Sequence, residues 1–218
     1  MNIFQTFLRT KAVRWVAILY VLVTLVLSQI PLFNYLGYEF SAVIGIAAGL
    51  LAGLLTISLF RKRFDSTTSL SRHESISFAV DALVINVVLL LIPLILISSN
   101  AFFVKNCSFI NGLAFFLLIP VVTILLAVAL GMCASVWFRH SYLMYTIFFV
   151  FILLHPVYLT LTSPQLFAYN LLFGYFPGLT YDEVLRITRP LLLFRAVTIV
   201  AAATIFPLTV LVLEHTHR

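Results

Sequence analysis

Six apolar runs, each about the length of a bilayer crossing and separated by short loops of alternating charge, constrain this chain more than any other feature. An α-helix needs about 20 apolar residues to span the ~30 Å hydrocarbon core of a membrane. The segments Val13–Phe33, Phe40–Phe60, Ile76–Ser98, Leu113–Phe138, Tyr142–Leu161 and Leu191–Leu213 meet that length. A β-barrel would read instead as short alternating strands, which these continuous runs exclude. The expected fold is all-α: one polytopic membrane bundle over residues 1–218, with six transmembrane helices.

Basic residues set the expected orientation, because lysine and arginine accumulate on the cytoplasmic side. Arg9, Lys11 and Arg14 precede the first span; Arg61, Lys62, Arg63 and Arg72 fill the second loop. Arg139 lies in the fourth loop and Arg218 in the tail, so nine of the thirteen basic residues share one side. Lys105, Arg186 and Arg189 fall on the other, and Arg195 lies inside the last span. Both termini are therefore expected in the cytoplasm of a bacterial cell, with the chain in its inner membrane. The net charge of +6 follows from this asymmetry, so it argues for anionic lipid at the basic loops and not for nucleic acid. A competing reading takes the basic arm, the first apolar run and Val26-Leu27-Ser28 as a signal peptide with its cleavage site.

Composition agrees with the bundle. Hydrophobic residues make up 63% and charged residues 9%, and the mean hydropathy is +1.15, too apolar for a domain with a wet surface. Cys107 and Cys133 stand at opposite ends of one predicted span, roughly 39 Å apart on a helix, and are expected as free thiols. No cofactor or metal is expected.

Small residues recur every fourth position in the second span: Ser41, Gly45, Gly49 and Gly53. Residues four apart share a helix face, so another backbone can approach closely there. That partner is either a neighbouring span or a second membrane subunit. In the second loop, Ser71-x-x-Glu74 reads as a capping box for the third span. Asp81 then lies about two turns into that span and needs a cation at similar depth, for which Arg14, Arg139 and His140 are the candidates. Pro93, Pro120, Pro156 and Pro207 interrupt the last four spans and should kink them.

The segment Ser163–Arg186 is aromatic and apolar, suited to the headgroup zone, and is expected as an interfacial or re-entrant element before the last helix. Glu39, Asn111, His155, Asn170, Asp182, Glu183 and Arg195 would converge near it as an outer polar cluster. Arg195 is expected to snorkel outward to one of these carboxylates. The cluster reads as a charge-neutralising cap or as a vestibule for lipid or substrate.

Two resemblances bear on function. The stretch Phe173-Gly-Tyr-Phe-Pro-Gly-Leu-Thr-Tyr-Asp-Glu183, with Asn106-Cys107 before the fourth span, resembles uncharacterised bacterial membrane proteins. In some of those a six-helix membrane region precedes a peptidase-like domain; the likeness covers the membrane region and no peptidase role carries over. In layout the chain is also similar to the permease subunits of ABC-type exporters, which implies a separate cytoplasmic ATPase and a coupling role for Arg61, Lys62, Arg63 and Arg72. The expected function is a non-catalytic subunit of a larger membrane complex, with the permease reading second. An intramembrane enzyme built on the outer cluster comes third.

Overall fold

The computed structural model describes residues 10–64, 72–104, 109–162, 168–176 and 187–216. It is a bundle of helices: α1 (Lys11–Ser28), α2 (Tyr38–Phe64), α3 (Arg72–Asn100), α4 (Phe109–Trp137), α5 (Ser141–Thr162) and α6 (Arg189–Thr216). Between α5 and α6 a small hairpin pairs β1 (Ala168–Asn170) with β2 (Gly174–Phe176), Tyr169 opposite Tyr175. Among the described residues, α1, α2, α3, α4 and the Arg189–Leu213 stretch of α6 are long and apolar enough to cross a membrane; the apolar part of α5, Ser141–Pro156, is shorter. This architecture fits a multi-pass membrane protein.

The first helix is shorter than the apolar run Val13–Phe33 implies, and stops at Ser28. Pro31 explains the difference. It disfavours helical backbone at Ile30, and the chain tightens beforehand through Gln29 N–H to Val26 O and Ile30 N–H to Leu27 O, at 3.1 and 3.0 Å.

Helices α2 and α4 form the centre, and α1, α3, α5 and α6 surround them. In α2 and α4, 61% of the most apolar stretch is buried, against 28% in α1 and α6. Small side chains make the central contact possible. A Cβ on Gly131 of α4 would lie 2.9 Å from the carbonyl oxygen of Gly53 on α2, so the two backbones nearly touch. A Cβ on Gly53 would overlap the ring of Tyr145, which crosses from α5 and donates its hydroxyl to Gly49 O at 2.5 Å. Hydroxyls along the spans bond back one turn, as in Thr24 to Tyr20 O and Thr56 to Ala52 O, both at 2.7 Å. In an apolar medium such bonds leave no side-chain donor exposed to hydrocarbon.

The outer faces are apolar as well. Leu193, Val200, Val26, Ile95 and Phe151 are each more than 60% exposed. Apolar side chains exposed to this extent would associate in water and are stable facing lipid or another apolar helix.

Candidate functional site

The most constrained polar locus lies where α4, α5, α6 and the hairpin meet, and proline and glycine chemistry build it. Pro120 has no N–H to give the helix ladder, and α4 passes it through a π-helical turn, Leu117–Val121. Such bulges re-aim the residues that follow, here Thr123. In α5, Pro156 likewise cannot bond Ile152 O, four residues earlier. The Asn170 side chain fills that vacancy, its Nδ2 donating to Ile152 O at 2.9 Å. Its Oδ1 accepts from Leu172 N–H at 2.6 Å, which curls the hairpin tip so that successive carbonyls face inward. Gly174 closes the tip at φ +85°, a conformation that costs a residue with a Cβ roughly 1 kcal/mol or more. A Cβ there would also lie 2.5 Å from Leu191 Cδ1 and 3.1 Å from Arg195 Nε.

Arg195 reaches into this curl from α6, about 9 Å along the helix from its start at 1.5 Å per residue. It is 1% exposed. Nη1 donates to Thr123 Oγ1 and Leu172 O, each at 3.2 Å. Nη2 donates to Asn170 O at 3.0 Å and Leu171 O at 3.2 Å. Thr123 donates its own proton to Leu172 O. Nε has no hydrogen-bond partner among the described residues. A charge taken out of water needs dense compensation, and among the described residues three consecutive carbonyl dipoles plus a hydroxyl supply it.

The expected outward reach of Arg195 is thus overturned. The guanidinium turns inward, because the curled main chain offers more acceptors than a lone acid at the rim. Of the outer cluster, the structure brings together Arg195 and Asn170. His155 is exposed on α5 with its ring 6.2 Å from that of Phe151, and Asn111 is exposed on α4. Glu39 sits in the first turn of α2 beside Tyr35. Burial, then the charge of Glu39 and a hydrogen bond to it, push the Tyr35 hydroxyl above its ordinary value. Asp182 and Glu183 lie outside the described residues, as do Ser71 of the expected capping box and Cys107. Cys133 is a half-buried free thiol.

The small-residue face of α2 is occupied from within the chain. Ser41 bonds Gly37 O at 2.7 Å. Gly45 faces Ile119 and Leu172 O, Gly49 faces Phe149 and Thr123, and Gly53 faces Tyr145. No room remains there for a second subunit, since the hairpin, α4 and α5 fill the groove.

At the basic end, Asp81 pairs with Arg63 at 3.5 Å, and not with Arg14, Arg139 or His140. The aromatic trio Phe60, Phe64 and Phe78 draws the end of α2 onto the start of α3, with Arg63 over the Phe64 and Phe78 rings. Both partners are partly exposed, 18% and 24%, so the pair contributes at most about 1 kcal/mol. Arg61 donates to Arg139 O at 2.6 Å and to Ser141 Oγ at 3.0 Å, with its guanidinium 5.0 Å from the Tyr142 ring centre. Lys62 and Arg72 are exposed.

Sequence reasoning missed Thr123 and Gly174. The signal for Thr123 was its place three residues after Pro120, and for Gly174 its place after three apolar residues that follow Asn170. Among the described residues no three His, Cys, Asp or Glu side chains are placed to share a metal ion. No family model, curated protein or solved structure matches the chain.

Proposed function

We propose that this chain is a non-catalytic, multi-pass subunit of a larger membrane assembly. In this reading it spans a bacterial inner membrane six times with both ends in the cytoplasm, α5 included, and the hairpin is the re-entrant element before the last helix. The observation that carries the reading is the engagement of Arg195. An enzyme or transporter would turn a buried charge toward substrate; here four of its hydrogen bonds go to Thr123 and the main chain of the hairpin. Helix packing takes up the α2 groove in the same way. What stays available to partners is the outward apolar surface of α1 and α6, each 28% buried over its most apolar stretch against 61% in α2 and α4.

Gentle extraction from native membranes, followed by mass spectrometry of intact complexes, tests this. Recovery in a defined complex of other membrane proteins is expected. Recovery of the chain alone, at every detergent strength tried, would overturn it.

One observation favours the permease of an ABC-type exporter as a second reading. Arg61, in the last turn of α2, is bonded to the α4–α5 turn, so force on the segment that follows α2 passes to two further helices. An ATPase in the recovered complex, with hydrolysis that falls on charge reversal at Arg61, Lys62, Arg63 and Arg72, would establish that reading over the first.

A further inference from the structure

We propose that the α4–α5 turn binds the headgroup of an anionic phospholipid. The inference rests on the membrane reading and not on membership of an assembly. Phe138 leaves α4 in an extended conformation, φ −124° and ψ 129°, and α5 begins at Ser141. The turn between them is held from beneath. Arg61 grips Arg139 O and Ser141 Oγ, and Ser141 donates to Phe138 O at 3.1 Å. With its main chain fixed, the turn presents the side chains of Arg139 and His140 outward, both exposed. Neither side chain has a hydrogen bond or ion pair among the described residues. Trp137, 57% exposed, and Tyr142, 39% exposed, flank them.

This combination selects a lipid over a soluble anion. A guanidinium matches a phosphate in charge and in its fork of donors, and Arg61 beside it adds a second cation. Free phosphate would use those charges and leave the rings idle. Tryptophan and tyrosine favour the depth where headgroup meets acyl chain, and Trp137 stands at the end of an apolar helix, two residues before Arg139. A diester headgroup with its chains running down the apolar flank of α5 satisfies both requirements together.

The purified full-length chain can be tested without any partner, so failure here is distinct from failure of the assembly reading. Phosphatidylglycerol and phosphatidylcholine are offered in mixed micelles and the retained lipids counted by native mass spectrometry. Phosphatidylglycerol is expected to be retained preferentially. Arg139→Gln keeps the carbonyl that Arg61 holds and should lower that preference about fivefold, the usual effect of one surface cation. Trp15→Phe leaves Trp137 as the single tryptophan, and brominated phosphatidylglycerol should quench it at a lower mole fraction than brominated phosphatidylcholine. Equal retention of the two lipids, a preference unchanged in Arg139→Gln, or displacement by millimolar inorganic phosphate would each overturn the proposal.

Discussion

Arg61 and Arg195 do the same mechanical job at two places in the bundle, and the surroundings make them unequal. Each ties distant segments together through main-chain carbonyls. Arg61 is partly exposed, stacks on Tyr142 and shares its turn with solvent. Arg195 is sealed beneath the hairpin. At the rim, water competes for every donor, so losing the arginine leaves acceptors that rehydrate. In the interior water does not replace it: the carbonyls of Asn170 and Leu171 lose the side-chain donor they have, and Leu172 O keeps only the Thr123 hydroxyl. The same residue type is a convenience in one place and a requirement in the other.

Substitution can test that contrast directly. Arg195→Met keeps the length and removes every donor, and should destabilise the protein by about 3 kcal/mol or more, read as a large fall in Tm in detergent. Arg195→Lys should rescue little, because one ammonium cannot reach four acceptors. A Tm within a degree of wild type for Arg195→Met would abolish the distinction between the two sites. Gly49→Ile sharpens the packing side of the argument. Its side chain would strike Phe149 and Thr123, so the isolated chain should lose about 1–3 kcal/mol from overpacking. If only assembly suffers while the monomer keeps its Tm, the groove is an external interface after all.

Asn170→Ala comes next. It removes the partner that Pro156 makes necessary and the bond that curls the tip, and about 2 kcal/mol is expected from two unsatisfied main-chain groups, with Arg195 left in place. Arg61→Gln should cost no more than about 1 kcal/mol, in line with partly exposed charged contacts. A penalty as large as that of Arg195→Met would show that the rim is as dry as the interior.

The smallest effect concerns pH. Tyr35 titrates above its ordinary value of 10 in the folded protein, so its contribution to stability is complete below pH 10 and is lost as pH rises through the folded value. Between pH 8 and strongly alkaline conditions, wild type should lose slightly more Tm than Tyr35→Phe, which has no proton to lose. Identical losses would mean that Glu39 and burial leave the hydroxyl alone.

Much of the fold was legible in the sequence because the bilayer leaves few options. Uninterrupted apolar runs must be helical, and their lengths locate the helices to within a few residues; the exception, α1, ends early because of Pro31. Glycine at every fourth position announced that something would lie on that face of α2. It did not say what, since Tyr145, Thr123 and the tip of a distant hairpin arrive there from far along the chain. The candidate site was less legible. Arg195 and Asn170 stood out as polar residues in apolar company, yet pairing by charge pointed to carboxylates. The sequence carries no symbol for a main-chain carbonyl that proline has freed or that a tight tip has turned inward. Apolar length and small-residue spacing are local properties, and the sequence by itself determined them. The partner of a buried charge depends on which backbone groups three helices and a hairpin bring within hydrogen-bond reach, and only the tertiary structure decided that.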